Sequence, residues 1–507
     1  MNVRKQLRSI SHALGNCAYR AKRRKKESVS LTLQQILDLC KIDCSDFSDD
    51  IASKLNVVVS YVCRWGDRFT KNCICVQLYD DSDRLMRLAM EKGALVCVTD
   101  HPIEGVPCIV VEQPAVVYAD MCRLFRNEAK TRAAVIVGSI GKTTTKKMVD
   151  AVFGKAYYTM CDCGNDNILD SVGSICQHLP HKAEWYIAEM SEDTPGLIEQ
   201  MCKIAQPQIA IITSIDKSHI EFYGSQERIF DEFRSVTKHM TNDGVCIVSL
   251  DEPNARQLIT DKKVVFISTN NKDADYYATN IEIDEAGLRF SVHEKSTDRT
   301  FPVRLVHSFA KHNVTSALYA FAAGVLANIP YDTITRGLLS YRATGIRQNV
   351  YRAGKTVVYA DCYNAVARSI RSAVQAAETI PVSGKRIAVL GDVAEAGDYT
   401  ESTHAEIVDI INRSDFDVLL TCGEQLKAAI RKNGLREGLK CHTFESQKEM
   451  NRMIKRVVRS KDLILFKASH SGHLDRSIAN AFPFAYFYQA VRYYTPRLLW
   501  HFKVILH

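Results

Sequence analysis

Residues 137–145 read Val-Gly-Ser-Ile-Gly-Lys-Thr-Thr-Thr, between an apolar run at 133–137 and a helically patterned stretch at 146–153. This junction constrains the fold strongly. A strand must deliver the chain to a sharp glycine turn, and a helix must leave from it. The backbone N–H groups of such a turn and the positive end of the helix dipole together present a phosphate site. A lysine at the place of Lys142 reaches the β- and γ-phosphates, and a hydroxyl at the place of Thr143 sits on Mg²⁺. Gly138, Ser139, Gly141 and Thr144 complete the cradle. An ordinary glycine turn before a helix does not account for Gly-Lys-Thr-Thr at this position. Ile136 stands where the first glycine of the full phosphate-loop pattern falls, so the loop is a variant. The expected ligand is ATP. As an exposed loop residue, Lys142 is expected to contribute little to stability.

At 507 residues, 46% hydrophobic and 24% charged, the chain has material for roughly three globular domains. No apolar run is long enough to cross a membrane, and the basic N-terminus lacks the apolar core of a secretory signal. The 17 cysteines are scattered through apolar segments such as Val245-Cys246-Ile247. That is the usage of reduced, buried thiols and points to a cytoplasmic protein. Cys161 and Cys163 with His178 and His181 match no standard zinc spacing.

The net charge of +8 is local in origin, because residues 1–26 carry nine Lys or Arg and no acid. The rest of the chain is close to neutral, which gives no reason to expect nucleic acid as a partner. Residues 481–507 hold nine aromatics, three Lys or Arg and no acid. Basic and aromatic residues interleaved in this way suit a peripheral membrane or protein contact through residues 1–26 and 481–507. The alternative is a disordered arm and a C-terminal helix packed on its own domain.

Apolar strand patterns alternate with helical ones along the chain, the mark of α/β domains with parallel sheets. Strands are expected at 73–78, 95–99, 133–137, 185–190, 209–215 and 245–250, then at 356–360, 386–390, 418–421 and 463–466. Residues 276–293 read as a hairpin around Glu285-Ala286-Gly287, and 337–345 as a link. The expected domains are a basic arm (1–28), an N-terminal substrate domain (29–130), a central ATP-binding domain (131–344), a C-terminal α/β domain (345–480) and a tail (481–507).

Glu189 ends one of these strands, in the sheet that would carry the phosphate loop. A carboxylate at that sheet edge is placed to bind Mg²⁺. His219 follows the next strand. A lone histidine is more often structural than a ligand, but here it falls at the same edge as Glu189 and Lys142.

Taken in order, these segments resemble the Mur ligases: Gly138-Ser-x-Gly-Lys-Thr-Thr-Thr145, Glu189-x5-Pro195-Gly196, and Thr213-x5-His219-x-Glu221-x2-Gly224-Ser225. Lys311-His-Asn-Val314, Asp361-Cys-Tyr-Asn-Ala365 with Ser369, Leu390-Gly-Asp392-x2-Glu395-x-Gly397 with His404, and Lys467-Ala-Ser469 extend the match to about residue 480. Segment order and spacing are most similar to the MurF branch. The resemblance implies a three-domain α/β architecture, with a central P-loop ATPase domain and a Rossmann-like C-terminal domain. It implies an ATP- and Mg²⁺-dependent ligase that phosphorylates a carboxylate to an acyl phosphate and then joins it to an amine. In that branch the carboxylate is on a UDP-N-acetylmuramoyl tripeptide and the amine is D-alanyl-D-alanine.

By the same resemblance Lys142, Glu189 and His219 are catalytic, and Thr143, Glu189 and His219 hold metal. His312 and Asn313 would hold adenine, while Arg347, Asp361 and Asn364 would reach the nucleotide from a C-terminal domain that closes. A monomer acting on small molecules is expected.

Several positions depart from the family pattern. Phe233 stands where the family carries a lysine carbamylated to support a second Mg²⁺, and Asp231 or Glu232 would have to substitute. Ser316, Val366-Ala367 and Ile346 replace family Asn, Asn-Pro and Gly. Tyr61-Val-Cys-Arg64 and Asp80-Asp-Ser-Asp83 occupy the places of the UDP-binding stretches; Arg64 could pair with a diphosphate, whereas the aspartates would repel one. Two alternatives therefore stand beside the MurF-like reading: a ligase of this fold with a non-UDP substrate, and a catalytically weakened nucleotide-binding regulator.

Overall fold

The computed structural model describes residues 31–489 except 46, 65–70, 79–82, 127–129, 163–166, 216–222, 254, 260, 344 and 395–396. The basic arm, His219, Glu221, Glu395 and residues 490–507 of the tail lie outside the described residues. The chain divides into two compact units. One runs to Ile267 and takes in Ala322–Ile329; the other comprises Ser268–Phe321 and the chain from Pro330.

The first unit begins with a four-stranded parallel sheet, β1 (Val62–Cys63), β2 (Ile74–Val76), β3 (Val96–Thr99) and β4 (Cys108–Val110), in sequential order. Gln177 ties this sheet to the segment that follows. Its side chain accepts from the Val62 N–H at 2.8 Å and donates to the Val62 carbonyl at 3.0 Å. The main sheet of this unit contains β5 (Arg132–Val137), β6 (Thr159–Cys161), β7 (Trp185–Glu189), β8 (Ile209–Ile212), β9 (Val245–Ser249) and β10 (Lys263–Ser268). They run parallel in the order β10-β9-β8-β5-β7-β6. β7 and β8 are buried along their whole length and read as continuous apolar runs because helices cover both faces. The connections after β5 and β7 leave toward opposite sides of β5. That reversal opens a crevice at the carboxyl end of β5, where ligands bind in such sheets.

The second unit contains an antiparallel meander, β11 (Tyr276–Asp284), β12 (Gly287–Glu294) and β13 (Arg299–Val306). The expected hairpin is present; β13 is an addition to it. Gly287 has φ 131°, and a Cβ there would meet the backbone of the β13 end.

A six-stranded sheet follows: β14 (Asn349–Ala353), β15 (Thr356–Asp361), β16 (Arg386–Leu390), β17 (Val418–Thr421), β18 (Lys440–Thr443) and β19 (Leu463–Lys467). Its order is β14-β15-β19-β16-β17-β18, with only β14 antiparallel. Insertion of β19 between β15 and β16 brings the carboxyl ends of all three together, with Asp361, Lys467 and Leu390 in register.

Two expectations are corrected. The phosphate-loop helix spans Lys142–Phe153, one turn earlier than residue 146, because the Thr145 N–H already bonds to the Gly141 carbonyl at 2.9 Å. Gly337 lies inside the helix Tyr331–Ser340 and not in a link, its lack of a side chain allowing burial there.

Candidate active site

At the carboxyl end of β5 the chain turns through Gly138 (φ 124°) and Gly141 (φ 92°), the second serving as N-cap of the helix. Both dihedrals lie where side chains are strained. A Cβ on Gly138 would also strike the Thr213 side chain and sit 2.9 Å from backbone atoms of Ser214. The loop is fastened to the end of β8. The Ser139 N–H donates to the Ser214 carbonyl at 2.8 Å, and the Ile140 N–H to Ser214 Oγ at 3.1 Å. Lys142, Thr143 and Thr144 form the first turn of the helix, so the unsatisfied N–H groups of that turn face the loop.

Beneath the loop lies a network of buried charge. Thr143 Oγ1 donates to Glu189 Oε1 at 3.0 Å, and Asn167 Nδ2 donates to the same oxygen at 3.1 Å. Lys146, one turn after Lys142, pairs with Asp162 and reaches Glu189 Oε2 at 3.1 Å. Asp162 in turn accepts from the Glu189 N–H at 3.0 Å. Burial pushes the Asp162 carboxyl up to about 6 against the opposing pull of Lys146. Burial alone would lower Lys146, but Asp162 and Glu189 hold it above its ordinary value.

Lys142 itself is folded back. Its Nζ donates to the Gly138 carbonyl at 2.5 Å and to Glu192 Oε2 at 2.7 Å. The exposed lysine expected from the sequence is therefore mostly buried and paired. Lys146, Asp162, Asn167 and Glu192 were not foreseen. The only sequence trace of two of them is spacing: Lys146 lies one helical turn after Lys142, and Glu192 three residues after Glu189. The adjacent Thr143 hydroxyl and Glu189 carboxylate are hard oxygen donors of the kind Mg²⁺ takes. The fit of this end of the sheet to a cation–nucleotide pair rests on them.

In the second unit, Asp361 at the end of β15 pairs with Lys467 Nζ at 3.0 Å and accepts from the Gln348 N–H at 3.1 Å. Lys467 also donates to the Asn364 carbonyl at 2.7 Å, while the Asn364 side chain faces solvent. The Arg347 guanidinium lies over the Tyr363 ring at 3.5 Å, and Tyr363 stacks on His470. His312 contacts Gln348 Nε2 at 2.7 Å. Asn313 is buried; its Nδ2 donates to Ser308 Oγ at 2.7 Å and its Oδ1 has no partner among the described residues. A buried amide oxygen without a donor suits the exocyclic amine of adenine. His404 is structural: Nδ1 meets the Thr400 carbonyl at 2.6 Å and Nε2 accepts from the Val393 N–H at 3.1 Å. Asp392 accepts from the N–H groups of Gln425 and Leu426 at the start of the helix Glu424–Asn433.

Other expectations are not met. Phe233 is fully buried in the hydrophobic core, and neither neighbour replaces the missing lysine. Glu232 accepts from the Gly196 and Ile198 N–H groups at 2.7 and 2.9 Å, capping the helix Leu197–Ala205. Asp231 is exposed and pairs with Arg234. Asp83 is taken up by His101, whose Nε2 lies 3.1 Å away. Among the described residues no cluster of three or more metal-ligating side chains occurs, and Cys163 of the Cys161-x-Cys163 spacing lies outside them.

Comparison with known proteins agrees with this architecture. Residues 136–324 match the Mur ligase middle domain, and residues 346–470 match the Mur ligase glutamate ligase domain. The UDP-N-acetylmuramoyl-tripeptide–D-alanyl-D-alanine ligase of Bacillus subtilis is 30% identical over 78% of this chain and 87% of its own length. The ligase of the same name from Escherichia coli is 25% identical, over 81% and 89%. Among solved structures, MurF from Acinetobacter baumannii superposes with a TM-score of 0.75 at 21% identity, covering 90% of this chain and all of that one. MurF from Thermotoga maritima in complex with ADP superposes with a TM-score of 0.71 at 18% identity, covering 86% and 98%. With a phosphate loop at the switch point of its main sheet and relatives matched along most of its length, the chain belongs to the Mur ligase family, alongside ligases of the MurF type.

Proposed function

We propose that this chain is an ATP-dependent carboxylate–amine ligase that joins D-alanyl-D-alanine to a UDP-N-acetylmuramoyl tripeptide. The observation that carries the reading is the loop at the end of β5, where the Lys142 ammonium is held at the loop's own Gly138 carbonyl and the hydroxyl of the next residue, Thr143, meets the Glu189 carboxylate. A carboxylate is a poor electrophile, so one of its oxygens first attacks the γ-phosphorus of ATP and ADP leaves. The amine nitrogen then attacks the acyl carbon, loses a proton, and inorganic phosphate departs with the carboxylate-derived oxygen. Lys142 and the first-turn N–H groups stabilise charge on the transferring phosphoryl group. Thr143 and Glu189 would hold Mg²⁺ and His219 would hold a second ion, and such ions would supply further charge neutralisation. Gly138, Ser139, Gly141 and Thr144 seat the phosphates. His312 and Asn313 hold adenine, and Arg347, Asp361 and Asn364 serve the nucleotide.

The test is phosphate release from ATP with purified protein, scanning UDP-muramoyl tripeptides against amines. Release that needs both the tripeptide and D-alanyl-D-alanine supports the reading. Release with another carboxylate favours a non-UDP ligase, and nucleotide binding without turnover favours the regulator.

The protein acts as a monomer in the cytoplasm under this reading. Contact with a membrane surface is supported by the helical segment 483–489, where Phe484, Phe487 and Tyr488 are 91%, 49% and 62% exposed at i, i+3, i+4 spacing. Phe482 and Tyr486 pack inward. Cosedimentation with anionic vesicles, lost on Phe484→Ser, checks it.

A further inference from the structure

Glu192 is a residue that the reaction as described does not use. Its side chain is 1% exposed, with Oε2 2.7 Å from Lys142 Nζ. Its carbonyl accepts from the Tyr223 hydroxyl at 3.0 Å, which fixes the backbone there. Its other carboxylate oxygen, Oε1, is buried and has no hydrogen-bond partner among the described residues. A buried carboxylate oxygen left without a donor is unfavourable and uncommon in a settled structure.

Two of the three hydrogens on the Lys142 ammonium are engaged, one by the loop's own Gly138 carbonyl and one by Glu192. Phosphate oxygens must take that ammonium for the loop to work. When they do, Glu192 loses its counter-ion and stands as a second negative group beside the phosphates. A bare triphosphate, strongly anionic, then meets repulsion in a poorly solvated site. A triphosphate carrying a divalent cation brings positive charge to the place where Glu192 has two free oxygens.

We propose that Glu192 is a positioning residue that holds Lys142 folded back until phosphate takes its ammonium, and so makes the loop discriminate cation-loaded nucleotide from free nucleotide. The inference rests on the phosphate-loop reading under Proposed function.

The experiment is nucleotide affinity by titration calorimetry, with Mg²⁺ or with EDTA, for the full-length wild type and Glu192→Gln. In the wild type, ATP should bind on the order of tenfold more weakly in EDTA. Glu192→Gln should tighten metal-free ATP by about tenfold, narrowing the gap, and leave AMP unchanged because AMP places no phosphate at Lys142. A merely structural glutamate would shift all nucleotides alike or none. Glu192→Met, which also removes the charge, should reproduce the shift and stands in if the amide variant fails to fold. Equal wild-type affinity with and without Mg²⁺ overturns the proposal without any variant. So does a folded Glu192→Gln that binds metal-free ATP no more tightly. A wild type that binds no nucleotide in either condition overturns the phosphate-loop reading and this proposal together, whereas binding without discrimination overturns this proposal alone.

Discussion

In two sheets of this protein a carboxylate at the carboxyl end of a parallel strand pairs with a buried lysine, and the two pairs sit in different surroundings. At the end of the β5–β7 edge, Lys146, Asp162 and Glu189 are all buried and bonded mainly to one another, to Thr143 and to Asn167. At the end of the β15–β19 edge, Lys467 is buried and its partner Asp361 only slightly less so, with 11% of its side chain exposed, next to an arginine over an aromatic ring and a solvent-facing Asn364. The first pair is a foundation that fixes the oxygen atoms of Glu189 beneath the phosphate loop. The second borders exposed groups, with the Asn364 side chain at the surface beside it. The lesson is that a lysine–carboxylate pair at the end of a strand is structural or adaptable according to how completely its charges are desolvated.

Breaking the apparatus above the first pair should produce the largest effect. Lys142→Ala should lower turnover by about 10³-fold, measured as phosphate release. It should also lower stability by about 1–3 kcal/mol, because it strands the buried Glu192 carboxylate. Lys142→Ala with Glu192→Gln should recover the stability and none of the turnover. Next, Lys146→Met leaves Asp162 and Glu189 buried without a cation and should cost about 3–5 kcal/mol in urea unfolding. Lys467→Met should cost less, about 1–3 kcal/mol, because water can reach Asp361. Equal losses would dissolve the contrast between the two pairs.

Phe233→Lys forces an ammonium into a core that includes Ile229, Phe230 and Val236. It should destabilise the protein by about 3 kcal/mol or more and give no gain in rate. The smallest effect concerns pH. Asp162 ionises at about 6 in the folded chain against an ordinary 3.8, so the folded state binds more protons in between. Its contribution to stability is complete below about pH 4 and falls as pH rises through about 6. Asp162→Asn should flatten that slope in thermal unfolding scans across the window.

Much of this arrangement was legible in the sequence because parallel strands buried on both faces write themselves as apolar runs. The strands through Val135, Ile187, Ile211, Ile247, Val358, Val389, Leu419 and Ile464 are all of that kind. β18 reads Lys-Cys-His-Thr and β14 Asn-Val-Tyr-Arg-Ala; both are edge strands with one side open, so neither shows a continuous run. The phosphate loop was legible because only glycine tolerates its backbone and only a few side chains serve phosphate. Lys146, Asp162 and Glu192 were not, because each owes its position to a partner far away in sequence. A charged residue facing solvent and one neutralised in a core look alike in one dimension. The position of Phe233 shows the converse: the local sequence offered a neighbouring carboxylate as a substitute for the lysine, yet Glu232 is committed to capping another helix.

The central claim is that ATP is consumed by phosphorylating a carboxylate, and oxygen transfer tests it directly. With the tripeptide carboxylate labelled with ¹⁸O, turnover in ordinary water in the presence of D-alanyl-D-alanine should place one labelled oxygen in the released phosphate for each amide formed. Unlabelled phosphate, its one new oxygen drawn from water, with no amide product, would contradict the account and identify a simple ATP hydrolase.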